Sequence, residues 1–272
     1  MLEQILDSKE VKKHVLFTFL LGFFYVIVGY AVSAYFFQYN ASVAMLFAAT
    51  LLLVPSMTHI LNIEEKIESK EGMKNFLYNH RDIFQIYISL FLGIFFAFVM
   101  IGCYSQLAVF GYQLNFLEAR GDLATDVISE FAASDYVPSF GNVLGLITQN
   151  LMVVVIAFVL SLFYGAGALF LIVLNASVFA AFICYLMKHV SNDASLLGVF
   201  LIHLVPELSG FLVAAIAGGV VSRAVVREKF GSQGFRNVMR DAFVLLSIAV
   251  GLIVIAAFLE VYVSAGLVKG LL

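Results

Sequence analysis

Seven apolar runs, each long enough to cross a bilayer, set the pattern of the chain: Val15–Phe37, Ala41–Ile63, Ile83–Phe110, Asn142–Tyr164, Gly165–Lys188, Ala194–Ser222 and Ala242–Ala265. A helix needs about 20 residues to cross a ~30 Å hydrocarbon core, and each run qualifies. The pattern predicts an all-α, polytopic transmembrane helix bundle of about seven spans. The first run exceeds the roughly 7–15 residues of a signal-peptide core and reads as a retained span. Between the fourth and fifth runs, Gly165 and Gly167 permit a tight turn. The sixth run is overlong and contains Pro206, which has no N–H to give a helix, so this span is expected to be kinked or broken into half-helices. Residues 1–82 read as a two-span hairpin with a cytoplasmic segment, and residues 83–272 as a five-span core.

Composition agrees with this picture. The chain is 62% hydrophobic and 12% charged, with a mean hydropathy of +1.02, whereas soluble domains carry about 25% charged residues. The lipid bilayer is the first partner implied. No concentrated basic face exists outside the inner loops, which argues against nucleic acid. The two cysteines, Cys103 and Cys184, lie inside apolar runs and read as buried packing thiols without a disulfide framework. Tryptophan is absent, so interfacial anchoring falls to tyrosines such as Tyr35, Tyr104 and Tyr262.

Charge decides orientation. With the N-terminus inside, cytoplasmic segments hold Lys9, Lys12, Lys13, Lys66, Lys70, Lys74, Arg81, Arg223, Arg227, Lys229, Arg236 and Arg240, and the outer segments only Arg120, Lys188 and Lys269. That asymmetry predicts a cytoplasmic N-terminus and, for an odd number of spans, an external C-terminus in the cytoplasmic membrane. The inner stretch Asn62–Asp82 reads as a helix extending beyond the second span. Arg223–Asp241 sets Val226, Phe230, Phe235 and Met239 against basic residues, a pattern for a helix lying on an anionic leaflet or for a solvated loop. The external loop Gly111–Gly141 carries Asp122, Asp126 and Glu130 at four-residue spacing opposite Leu123, Val127 and Phe131. This acidic face fits an amphipathic surface helix, or a cation or basic-partner site.

Ionisable and amide side chains inside apolar runs are the candidate chemistry, since burying a charge at the bilayer centre costs about 2.5–3.5 kcal/mol on insertion scales. At 1.5 Å per residue, Asn150 lies ~12 Å below the outer start of the fourth run, and Asn175 ~15 Å from the inner start of the fifth. His203 and Glu207 lie ~12 and ~18 Å below the outer start of the sixth, and Glu260 falls near the outer end of the last. The five are expected to share one buried polar cluster. Gly210, Ala214, Gly218 and Ser222 repeat every fourth position, a ridge for close helix packing.

These residues also carry a resemblance. Gln149-Asn150, the run Leu162–Asn175, His203–Glu207 with Ala217-Gly218-Gly219, and Phe258–Tyr262 together resemble the stage II sporulation protein M family, over roughly Phe84 to Ser264. Leu204 stands where that family often has Gly, and Pro206-Glu207 is closer to its archaeal branch. The resemblance implies a five-span core and a membrane component of an assembly, with other membrane or envelope proteins as partners. In spore formers the namesake belongs to an assembly that recruits and regulates cell-wall hydrolysis.

Three readings follow. The first is a non-enzymatic membrane scaffold without cofactor or metal, its polar cluster a structural network. The second is a small-solute or ion permease using His203 and Glu207 at membrane depth. The third is an intramembrane metal-dependent hydrolase with His203, Glu207 and Glu260 as ligands, against which stands the absence of a His-Glu-x-x-His motif.

Overall fold

The computed structural model describes residues 15–37, 41–71, 76–105, 107–120, 137–164, 168–189 and 194–267. Among them there is no strand, and eight α-helices follow in order. They are α1 (Val15–Phe36), α2 (Ala41–Glu71), α3 (Phe76–Tyr104), α4 (Gly111–Arg120), α5 (Phe140–Tyr164), α6 (Ala168–His189), α7 (Ala194–Arg227) and α8 (Gln233–Leu259). Six of the eight (α1, α2, α3, α5, α7 and α8) are long and apolar enough to cross a membrane, and α6 has a shorter apolar stretch, Leu169–Tyr185. The molecule is a bundle of membrane-spanning helices.

α7 lies at its centre. Every residue from Gly210 to Val221 is buried, and α7 packs most extensively on α8 and α5. Apolar side chains alone give no drive to associate in lipid, so close backbone approach supplies the contact. At Gly218 a side chain would run into the backbone carbonyl of Phe158 and into Ser161 on α5, while one at Gly210 would meet Ala249 and Ile253 on α8. The two glycines of the four-residue ridge thus serve two different neighbours. Ser161 adds a bond across the first crossing, its Oγ donating to the Ala215 carbonyl at 2.8 Å. A second close crossing joins α1 to α3, where Gly22 faces the Leu90 carbonyl and Gly93 faces the backbone of Phe19. Buried residues of α1, α2, α3, α5, α6, α7 and α8 form one continuous apolar core. Outside it, Leu16, Phe24, Leu51, Val155 and Phe243 are exposed, as a lipid-facing belt requires.

Several boundaries differ from the sequence expectation. Of the two forms expected for the sixth span, α7 takes the single one, a continuous helix with Pro206 inside it. At 34 residues it is about 51 Å long, well beyond a ~30 Å core. The stretch Arg223–Asp241 is neither a loop nor a surface helix. It comprises the ends of α7 and α8 joined by the short turn Glu228–Ser232, because Gly231 at φ 79° turns the chain and Ser232 caps α8 by accepting from the Phe235 N–H at 3.1 Å. The extended end of α2 meets this hairpin. Ser69 Oγ donates to Glu228 Oε1 at 2.6 Å and the Asn237 amide donates to the Ser69 carbonyl at 3.2 Å.

The third span ends at Tyr104, not Phe110. A 3₁₀ turn (Leu107–Phe110) and α4 follow, folded back onto the bundle with Phe110 buried against Phe98 and Gly102. Gln113, fully buried, donates to Ser177 Oγ on α6 at 3.3 Å. The apolar Val109-Phe110 pair had lengthened the run without belonging to the helix. The acidic residues Asp122, Asp126 and Glu130, and the turn glycines Gly165 and Gly167, lie outside the described residues.

Candidate functional site

His203 is 8% exposed and faces α8 near the end of the bundle opposite the hairpin. Its Nδ1 lies 2.9 Å from Ser264 Oγ, and that hydroxyl donates to the Val199 carbonyl at 3.1 Å. A serine hydroxyl has one proton, here committed to Val199, so the imidazole donates through Nδ1 and keeps Nε2 as an acceptor when neutral. Phe200 packs edge-on against the ring, with centroids 6.1 Å apart. Val199 and His203 sit one turn apart on the same face of α7, and the serine bridges both to α8.

Ser264 reaches this position through a π-helical turn. α8 gives way at Glu260 to the π turn Glu260–Ser264, closed by the Ala265 N–H on the Glu260 carbonyl. An i→i+5 turn inserts one residue relative to an α-helix and rotates everything after it, and such turns recur at functional sites. In this chain the extra residue aims Ser264 at His203 while Val261 stays buried against Val143 of α5. Sequence periodicity at 3.6 residues gives no sign of it.

The helix registers fix the levels of the other polar residues. α7 and α8 are antiparallel, with His203 beside Ser264 and Gly210 beside Ile253, so Glu207 lies opposite the turn from Ala256 to Glu260. α5 runs parallel to α7 with Phe158 and Ser161 beside Gly218, which brings Asn150 level with Glu207. Phe182 of α6 packs edge-on against Phe200 of the antiparallel α7 at 5.1 Å, and counting back along α6 and forward along α7 sets Asn175 across from Glu207. Asn150 is 3% exposed, while Asn175, Glu207 and Glu260 are half-buried. Four helices thus hold amide and carboxyl groups at one depth. The bond that fixes His203 goes instead to Ser264, a residue the sequence did not single out. Of the proposed packing ridge, Gly210, Ala214 and Gly218 are buried and Ser222 is half-buried at its end.

Among the described residues, no three His, Cys, Asp or Glu side chains converge as a metal site would require. His203 bonds Ser264, which in turn bonds the Val199 carbonyl, an arrangement that orients the imidazole.

Fold and site together define a polytopic α-helical membrane protein with a buried His203–Ser264 contact between two of its helices. The sequence model of the Stage II sporulation protein M family matches residues 86–265, and the chain belongs to that family. The matched region starts within α3 and takes in the π turn, His203, Glu207, Asn150 and Asn175. No curated protein and no solved structure matches the chain.

Proposed function

We propose that the protein is a non-enzymatic membrane scaffold, an assembly component whose buried polar level fixes the packing of α7. The observation that carries this reading is the chain His203–Ser264–Val199, in which the donor of the imidazole and the donor of the hydroxyl are both spent on internal partners. Close packing at Gly210 and Gly218 supports it, because α7 has no room to slide past α5 or α8 without losing its contacts. In this reading the hairpin Glu228–Ser232 faces the cytoplasm, the N-terminus is cytoplasmic and the C-terminus external, the orientation that the positive-inside bias favours. Its partners are other membrane or envelope proteins.

A second reading, a solute or ion permease, draws on a different observation: the π turn begins at Glu260, level with Glu207. One experiment separates the two. Protein reconstituted in liposomes with an internal pH dye is given a proton gradient, with and without candidate solutes. The scaffold reading expects leakage equal to that of empty liposomes. Flux that disappears in a folded Glu207→Gln variant would replace it with the permease reading.

A further inference from the structure

The chain has two cysteines, on different helices, and the fold brings them together. Cys103 is in the last turn of α3 and exposed, and Cys184 is in α6 and buried. Gly102, without a side chain, lets the two helices approach until Cys184 Sγ rests on its backbone, and that sulfur lies 3.8 Å from the Val99 carbonyl, one turn before Cys103. Cys184 Sγ thus lies against α3 at residues 99 and 102, next to Cys103 in the chain. One turn further along α6, Lys188 Nζ donates to the carbonyls of Gly102 at 3.0 Å and Ser105 at 3.2 Å, so residues 102–105 are clamped on both sides of Cys103. An ammonium group at that position marks the water interface, not the hydrocarbon. Cys103 therefore sits where a polar reagent can reach it.

We propose that Cys103 and Cys184 form a reversible disulfide that staples α3 to α6 at the external face. The exposed Cys103 thiolate attacks the disulfide of an external oxidant, a protein or small-molecule disulfide, and displaces one thiol. The Cys184 thiolate then attacks Cys103 sulfur in the mixed disulfide and releases the second thiol. Two protons and two electrons leave the pair, and the external disulfide is reduced to two thiols. The staple spans a long loop that includes α4 and α5, and closing a long loop favours the folded state. The external, oxidising compartment of the pair rests on the orientation proposed above.

The test has two arms. Purified full-length protein in detergent is incubated with oxidised glutathione, quenched with acid, and its intact mass is recorded. The proposal expects the wild type to lose two hydrogen masses, to return on reduction and to unfold at a higher temperature when oxidised. Cys184→Ser should instead end as a single glutathione adduct at Cys103, and Cys103→Ser, whose remaining thiol is buried, should stay unmodified. A wild type that ends with glutathione adducts, as unmodified dithiol or as a linked dimer overturns the proposal. In sealed right-side-out vesicles, a membrane-impermeant aromatic disulfide should close the pair. Closure only after permeabilisation would leave the pair standing and overturn its external placement together with the orientation.

Discussion

His203 and Ser264 lie sixty-one positions apart and meet through a 2.9 Å hydrogen bond that closes α7 onto the π turn of α8. Removing the serine oxygen leaves a buried imidazole N–H without its acceptor, a loss of about 1–3 kcal/mol. Ser264→Ala should therefore lower the unfolding temperature in detergent, and Ser264→Thr, which keeps a hydroxyl, should recover much of it. An alanine variant as stable as the wild type would show that the bond contributes nothing.

Gly218 and Gly145 offer a matched pair. A methyl at Gly218 meets the Phe158 backbone, whereas nothing lies within 4 Å of one at Gly145. Gly218→Ala should cost about 1–3 kcal/mol through overpacking, and Gly145→Ala should gain up to ~1 kcal/mol through helix propensity. Denaturation of both variants side by side reads the difference, and equal behaviour would remove the close crossing from the account.

The charge on Glu207 can be tested by isostere. Glu207 is half-buried within the apolar span of α7, where an amide of the same shape can meet the same hydrogen-bond partners as the carboxyl group. Glu207→Gln keeps shape and donor capacity and should fold nearly as the wild type does, while Glu207→Ala should be clearly less stable. Equal, severe destabilisation by both would establish that the anion itself is needed.

Orientation is open to labelling. In a background with Cys103 and Cys184 replaced by serine, single cysteines at Val137 and Phe230, 74% and 90% exposed, should react with impermeant maleimide from opposite sides of the membrane. Labelling of both from one side would sink the assigned topology.

Span positions were readable in the sequence because a helix advances a fixed 1.5 Å per residue and apolar runs of sufficient length mark the helices. Rotation was not. Ser264 alone in an apolar run reads as a small packing residue, and only the π turn that follows Glu260 makes it a partner for His203. The basic, amphipathic stretch Arg223–Asp241 misled for a related reason: a surface helix and the protruding ends of two long helices share one periodicity. Ser232 as a cap and Gly231 as a turn were the local signals that separate them. The end of the third span was hidden by Val109 and Phe110, which are apolar because α4 folds back under them, not because α3 continues.

The crossing of Gly22 with Leu90 and of Gly93 with Phe19 has a consequence for how the protein is assembled. α1 packs first on α2, where Gly29 faces the backbone of Met45 and Ala49, and its second close crossing forms only once α3 has been made. The crossing also joins a helix outside the family match to one inside it. A chain shortened to residues 86–265 would leave the groove at Gly93 open to acyl chains, too narrow for a branched side chain yet lined by backbone. α1 therefore acts as the lid of a groove on α3 that the matched region alone would present to lipid.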